Sequence, residues 1–166
     1  MPTNKIEYRS FRRDFGEFRK TLLTPMEVFP VASSDEAIRK TPVKLKALWD
    51  TGATLTAIKP QLRDKLKLCM VRANSSATIA GLGDSTYKAD YTVMTLRIRN
   101  NFEINWCPVF VVDYAVDVDI IIGMDIIGMG DFAVSNTNRK TLLSFIMPSM
   151  PERLDLTDKA YFLNKN

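Results

Sequence analysis

No histidine occurs anywhere in the 166 residues. That removes Ser-His and Cys-His nucleophile pairs, His-ligated metals and imidazole acid–base chemistry from this chain. Cysteine is scarce, with Cys69 and Cys107 the two present. Two thiols cannot build a disulfide framework or a four-thiolate zinc site, and they read as reduced thiols of a cytoplasmic protein. No metal and no other cofactor is expected. Long apolar runs are missing as well: none approaches the roughly 20 residues a membrane-spanning helix needs, so no membrane span is expected. The opening residues, Met1 to Arg13, are charged and have no apolar stretch behind them, so a secretory signal is not expected either. What remains is chemistry done by carboxylates.

Charge of either sign is modest. The 23 basic and 19 acidic residues leave a net charge of +4, and hydrophobic residues make up 46% of the chain, the mix of a soluble globular domain. The surplus is concentrated at one end. Lys5, Arg9, Arg12, Arg13, Arg19 and Lys20 outnumber Glu7, Asp14 and Glu17, so the first 20 residues hold a net of +3 and the rest of the chain only +1. A basic arm before a near-neutral body is not the broad positive face of a dedicated nucleic-acid binder, and nucleic acid is not expected as a partner. Within the arm, Tyr8, Phe11, Phe15, Phe18 and Leu22 recur at three- and four-residue steps, which predicts one stripe of a helix weakened at Gly16. Such a stripe packs on its own domain or a dimer mate, or else meets a membrane surface, a nucleic acid or a partner helix.

Pro25, Pro30 and Pro42, with Ser33-Ser34-Asp35 between them, predict a connector carrying one short helical turn. At Val43 the pattern changes to that of strands. Val43, Leu45 and Ala47 alternate with lysines and lead through Leu48-Trp49 into Asp50-Thr51-Gly52. Pro60 opens a short helix over Gln61 to Leu68. Residues 77–80 and 86–90 flank Gly81-Leu82-Gly83-Asp84 and predict a glycine-tipped hairpin. Met94, Leu96 and Ile98 then alternate on one strand, and Ile104, Trp106, Phe110 and Val112 on the next, across a turn at Asn100-Asn101. Val118 to Ile122 is a continuous apolar run suited to a fully buried strand. A last hairpin joins Phe132–Val134 to Thr141–Phe145. No repeat of fixed period is visible, which excludes a solenoid or propeller.

Asp50-Thr51-Gly52-Ala53 carries the sharpest chemical signal. Asp and Gly favour turns and Thr can bond its own backbone, so the triplet alone reads equally as a turn. Its context argues for more. It ends an alternating strand, the glycine-tipped hairpin follows it, and Ile121-Ile122-Gly123 comes after that with a short segment Met124 to Met129 behind.

This ordered set resembles the retropepsin family, the single-lobe aspartic proteases typified by retroviral proteases. The run Ile120 to Ile127, continuing to Gly130-Asp131-Phe132-Ala133-Val134, looks especially like bacterial retropepsin-like proteins. The resemblance implies an all-β fold, a single-lobe acid-protease β-barrel with one or two short helices, plus an N-terminal arm and a C-terminal tail. It divides the chain into an arm and connector over 1–41, a protease domain over 42–147 and a tail over 148–166. It implies that Asp50 is catalytic, with Thr51, Gly52 and Ala53 supporting the active-site loop. Thr51 would bond across a dimer axis, and Gly52 would leave room for substrate backbone. Ala80, Gly81, Leu82 and Gly83 would form a flap closing over bound peptide. Ile121, Ile122 and Gly123 would give structural support beneath the loop. Asp125 is read as a helix-capping or loop-bracing residue. Where retroviral enzymes commonly carry an arginine that braces the dimer, this chain has Met124, which leaves the arm and the tail as candidates for that job.

The chemistry needs two carboxylates sharing one proton, the charged one a general base and the protonated one a general acid. The chain holds one Asp-Thr-Gly and no second Asp-Thr-Gly or Asp-Ser-Gly. The second aspartate is therefore expected from a second copy, in a homodimer acting on peptide or protein substrates. Two other readings stand beside this aspartic endopeptidase: a non-catalytic retropepsin-like module that dimerises or grips a peptide, and a nucleic-acid or membrane-surface protein acting through its arm.

Overall fold

Backbone pairing organises the chain into two sheets in the computed structural model, which describes residues 6–71, 90–99, 102–157 and 160. The elements in order are β1 (Arg9–Asp14), β2 (Leu23–Phe29), α1 (Glu36–Lys40), β3 (Val43–Trp49), β4 (Ala57–Ile58), α2 (Pro60–Lys65), β5 (Tyr91–Arg99), β6 (Phe102–Val111), β7 (Ile120–Ile122), α3 (Met124–Ile127), β8 (Asp131–Ser135) and β9 (Leu142–Met147), with a 3-10 turn at Thr137–Arg139 between the last two strands. Six strands close a barrel in the order β2-β3-β7-β4-β6-β5, and β1-β9-β8 form a separate three-stranded sheet. The architecture is the mostly β, single-lobe barrel with short helices that the sequence implied.

Alternation explains the barrel interior. On β3, Leu45, Ala47 and Trp49 point inward while Lys44 and Lys46 are exposed. Met94, Leu96 and Ile98 do the same on β5, and Ile120 and Ile122 on β7 are fully buried. The middle residue, Ile121, packs instead against a smaller cluster of Ala57, Tyr114 and Val118. Burying each large aliphatic side chain contributes about 1.5–3 kcal/mol, so this interdigitated column is what holds the barrel shut.

β7 occupies the position that matters for the site. It runs parallel to β3, with Trp49 opposite Ile122, and antiparallel to β4, with Ala57 opposite Ile121. β3 and β4 are the strands entering and leaving the Asp50 loop. One short strand thus ties both ends of that loop.

Three expectations are corrected. The aromatic stripe at Tyr8–Leu22 is not helical: β1 pairs antiparallel with β9 from Arg9 opposite Met147 to Asp14 opposite Leu142. Gly16 takes a positive φ of 69° and receives a hydrogen bond cap, its amide donating to Asp14 Oδ1 at 2.8 Å, so the chain turns where a helix would continue. Phe11 is buried within β1 whereas Tyr8 and Phe18, outside the strand, stay exposed, so the stripe does not form one buried helical face.

The proline-marked segment after Thr24 is not merely a connector, because β2 lies within it and pairs with both β3 and β5. The Trp49 amide donates to the Leu22 carbonyl at 3.0 Å. By alternation Pro25 then faces away from β3, two residues before the stretch paired with β5 begins at Glu27 opposite Arg97, so its missing N–H takes no bond from the β2–β3 ladder. The expected helical turn is present as α1, capped by Asp35, whose Oδ1 accepts from Ala37 N at 3.0 Å and Ile38 N at 3.4 Å.

On β6, Trp106 was expected inward with Ile104, yet it is 71% exposed and sits at φ 59°. Three residue steps from Ile104 to Cys107 face the two steps from Leu96 to Met94 on β5. The extra residue is a β-bulge that turns the indole out and brings Cys107 and Val109 in.

Candidate active site

β3 delivers Asp50 at the rim of the barrel. The Asp50 amide donates to the Ile122 carbonyl at 3.0 Å, extending the β3–β7 ladder by one bond beyond the strand. The chain then turns: the Gly52 amide donates to Asp50 Oδ1 at 2.9 Å, and the Ala53 amide to the Asp50 carbonyl at 3.2 Å. An aspartate that accepts from the amide two residues on is the ordinary Asx device for a tight turn. Here it also orients the carboxylate. Asp50 is half-buried, while Thr51 and Gly52 are exposed. A Cβ at Gly52 would lie 3.2 Å from Asp50 Oδ1, crowding that carboxylate.

Beyond the turn the loop is stitched to the segment after β7. Met124 N donates to the Ala53 carbonyl at 2.8 Å and Asp125 N to the Thr54 carbonyl at 3.1 Å. Thr56 donates to the Asp125 carboxylate twice, from its amide to Oδ2 at 2.9 Å and from its hydroxyl to Oδ1 at 2.7 Å. The same hydroxyl accepts from Gly123 N at 3.1 Å. Gly123 packs so tightly on the loop that a Cβ would fall 2.5 Å from the carbonyl carbon of Leu55 and 2.8 Å from its nitrogen. Only glycine permits that approach of backbone to backbone.

The structure thus brings together Asp50, Thr51, Gly52 and Ala53 with Ile121, Ile122 and Gly123. Asp125 lies in the first turn of α3 and does not cap it, the N-cap being Gly123; its Oδ1 accepts from Ile126 N at 2.9 Å, and the carboxylate braces the loop through Thr56. Ala80, Gly81, Leu82 and Gly83, expected as a flap, lie outside the described residues, as does the turn at Asn100-Asn101. Two groups were missed by sequence reasoning. Thr56 lies 69 residues from Asp125, and no local pattern announces their pairing. Thr24, at the start of β2, accepts from Trp49 Nε1 at 2.9 Å and so fixes the residue just before Asp50.

Behind the loop, Cys107 is buried and its thiol is pushed up to about 11, first by burial and then by the negative charge of Asp125. The thiol therefore stays protonated and is no nucleophile. Among the described residues, no three His, Cys, Asp or Glu side chains gather as a metal site. No helix among them is long and apolar enough to cross a membrane. A cavity of about 450 Å³ lies between the outer face of the β1-β9-β8 sheet and the C-terminal tail, lined by Arg12, Ser144, Met150 and Leu154 among others and by none of the Asp50 loop.

A closed single-lobe barrel with Asp-Thr-Gly at the end of an inner strand, clamped to a hydrophobic-hydrophobic-Gly strand, defines a retropepsin-like aspartic protease fold. Residues 38–129 match the family described as "gag-polyprotein putative aspartyl protease", and the chain belongs to that family. No curated protein matches the chain. Among solved structures it is similar to a retropepsin-like aspartic protease from Rickettsia conorii, at 15% identity and a TM-score of 0.49, covering 87% of this chain and 98% of that one. It is also similar to EIAV protease complexed with an inhibitor, at 20% identity and a TM-score of 0.45, covering 66% of this chain and 86% of that one.

Proposed function

We propose that the chain is an aspartic endopeptidase whose two catalytic carboxylates are the Asp50 side chains of a homodimer. The observation that carries this reading is the single half-buried Asp50. Its carboxylate is oriented by one backbone amide, on a loop that six further hydrogen bonds hold to Gly123, Met124, Asp125 and Ile122. One copy supplies a base or an acid, and amide hydrolysis needs both.

In the dimer the two aspartates meet on the two-fold axis and share one proton, because like charges so close cannot both ionise. The ionised carboxylate takes a proton from water as the oxygen attacks the peptide carbonyl carbon. The protonated one gives its proton to the carbonyl oxygen, leaving a neutral tetrahedral diol. Collapse of the diol breaks the C–N bond, with a proton passing to the departing amine and one returning to the pair, so the site is regenerated. Thr51, exposed at the tip of the loop, hydrogen-bonds across the axis and keeps the carboxylates coplanar. Gly52 leaves space for the substrate backbone. Ala80 to Gly83 close over an extended peptide held by strand-like hydrogen bonds. The two thiols suit a reducing, cytoplasmic setting.

The test is sedimentation velocity over a concentration series, with peptide cleavage at acidic to neutral pH on the same samples, for wild type and Asp50→Asn. A dimer with an acidic optimum, sensitive to pepstatin-type inhibitors and silenced by Asp50→Asn, is the expected result. A dimer that binds peptides equally well with either residue and cleaves none would instead establish a non-catalytic binding module.

A further inference from the structure

The mechanism above leaves one charged side chain beside the loop unused. Asp125 is half-buried, and no cation pairs with it among the described residues. Three donors satisfy its carboxylate instead: Thr56 N at 2.9 Å on Oδ2, and Thr56 Oγ1 at 2.7 Å with Ile126 N at 2.9 Å on Oδ1. Thr56 itself is fully buried, and its hydroxyl is already committed as acceptor to Gly123 N. Every position around this carboxylate therefore demands an acceptor. An asparagine would place its NH₂ against either the Thr56 amide or the Ile126 amide, donor facing donor, whichever way it turned.

We propose that Asp125 is a positioning residue for Asp50. This rests on the peptidase reading given above. The loop is anchored at three levels. At its start Asp50 N is held by the Ile122 carbonyl, midway the Ala53 and Thr54 carbonyls accept from Met124 N and Asp125 N, and at its end Thr56 is held by Asp125 and Gly123. The stretch between carries the aspartate, with Thr51 and Gly52 exposed at its tip. If the Asp125 carboxylate's hold on Thr56 is lost, that end of the loop is left to the backbone bonds at Ala53 and Thr54, and Asp50 shifts relative to its counterpart across the axis. A shared-proton pair tolerates such displacement poorly, since reacting groups misplaced by about 1 Å lose on the order of 100-fold in rate. The carboxylate of Asp125, not merely a side chain of its size, sets the height and tilt of the catalytic one.

The experiment compares full-length wild type with Asp125→Asn, Thr56→Val and Thr56→Ser. For each, kcat and KM are measured per active site, with sites counted by titration with a tight-binding peptide inhibitor. Asp125→Asn and Thr56→Val should each lose roughly 10- to 100-fold in kcat with KM within about twofold, and Thr56→Ser, which keeps the hydroxyl, should stay within about threefold of wild type. Amide exchange at Asp50 and Met124 should quicken in the first two variants while Leu96 and Val109 in the barrel wall keep their protection. A purely structural role would lower the number of titratable sites and leave kcat per site alone, and that outcome overturns the proposal. Should Asp125→Asn fail to fold, the contrast between Thr56→Val and Thr56→Ser decides it in the same terms. An active wild type with unaltered variants overturns this inference alone, whereas an inactive wild-type dimer overturns the peptidase reading and this inference with it.

Discussion

The rings of Phe11 and Trp49 lie 5.3 Å apart between centroids, so the residue immediately before Asp50 rests on the N-terminal strand. Trp49 is enclosed further by Phe145 at 5.5 Å and Phe132 at 5.7 Å, and its indole N–H is held by Thr24. The end of β3 that presents the Asp50 loop is therefore supported from below by β1, β8 and β9 and from the side by β2. Residues that looked like an arm are part of the foundation of the site.

That arrangement makes Phe11 a stability residue despite its place in a basic, terminal segment. Phe11→Ala should cost about 3–5 kcal/mol in urea unfolding, since it empties a volume between three other rings. Tyr8→Ala, at a site 43% exposed, should change stability by no more than about 0.5 kcal/mol. Equal effects would show that the ring cluster is not the support described.

Gly123→Ala should be among the most damaging small substitutions in the chain. The added methyl meets Leu55 backbone atoms at 2.5 to 2.8 Å, and backbone cannot swing aside as a side-chain tip can. A loss of about 1–3 kcal/mol or more is expected, with the Asp50 loop displaced from β7. Thermal unfolding together with the chemical shifts of the Thr56 and Met124 amides reads both effects.

If the aspartates are shared between copies, mixing has an arithmetical signature. Wild type and Asp50→Asn, denatured together in equal amounts and refolded, should leave only about a quarter of the dimers with two intact aspartates. Cleavage per wild-type chain should then be near half that of wild type refolded alone. Undiminished cleavage per wild-type chain would mean that each chain acts by itself.

The two thiols should separate cleanly. Cys69 is exposed and should react with an aromatic disulfide reagent within minutes at pH 8, while Cys107, buried and held protonated, should react only on unfolding. The folded thiol keeps its proton up to about 11, whereas the unfolded one releases it from roughly 8.5. Its contribution to stability is thus intact below that lower value and is lost as pH climbs through the window. Urea midpoints of wild type and Cys107→Ala between pH 8 and 10.5 should converge as pH rises.

How much of this was legible in the sequence depended on the range of the interactions involved. Leu45, Ala47 and Trp49 alternate because a strand's period is two, and that pattern can be read without knowing which strand lies beside it. Asp50-Thr51-Gly52 could be placed at a strand end for the same reason. The N-terminal stripe misled because its three- and four-residue spacing matches a helix, while its actual partner, β9, lies more than a hundred residues away and contributes backbone hydrogen bonds that no side-chain pattern encodes. Trp106 misled because a bulge inserts one residue into β6 and inverts the inward set from that point on. Thr56 and Asp125 were visible singly, as a polar residue and a capping or loop-bracing one, and their pairing was not.

The chain's own residues determined the chemistry available: no imidazole, no thiolate cluster, one Asp-Thr-Gly, and strand-forming alternation on either side of it. These are local properties, set by side-chain chemistry and the two-residue period of an extended backbone. Tertiary structure decided what is joined to what: β7 inserted between the strands that enter and leave the loop, Phe11 placed under Trp49, and Asp125 placed against Thr56. Those choices depend on barrel closure, which satisfies backbone donors and acceptors across long sequence separations at once, and no short window of sequence holds that information.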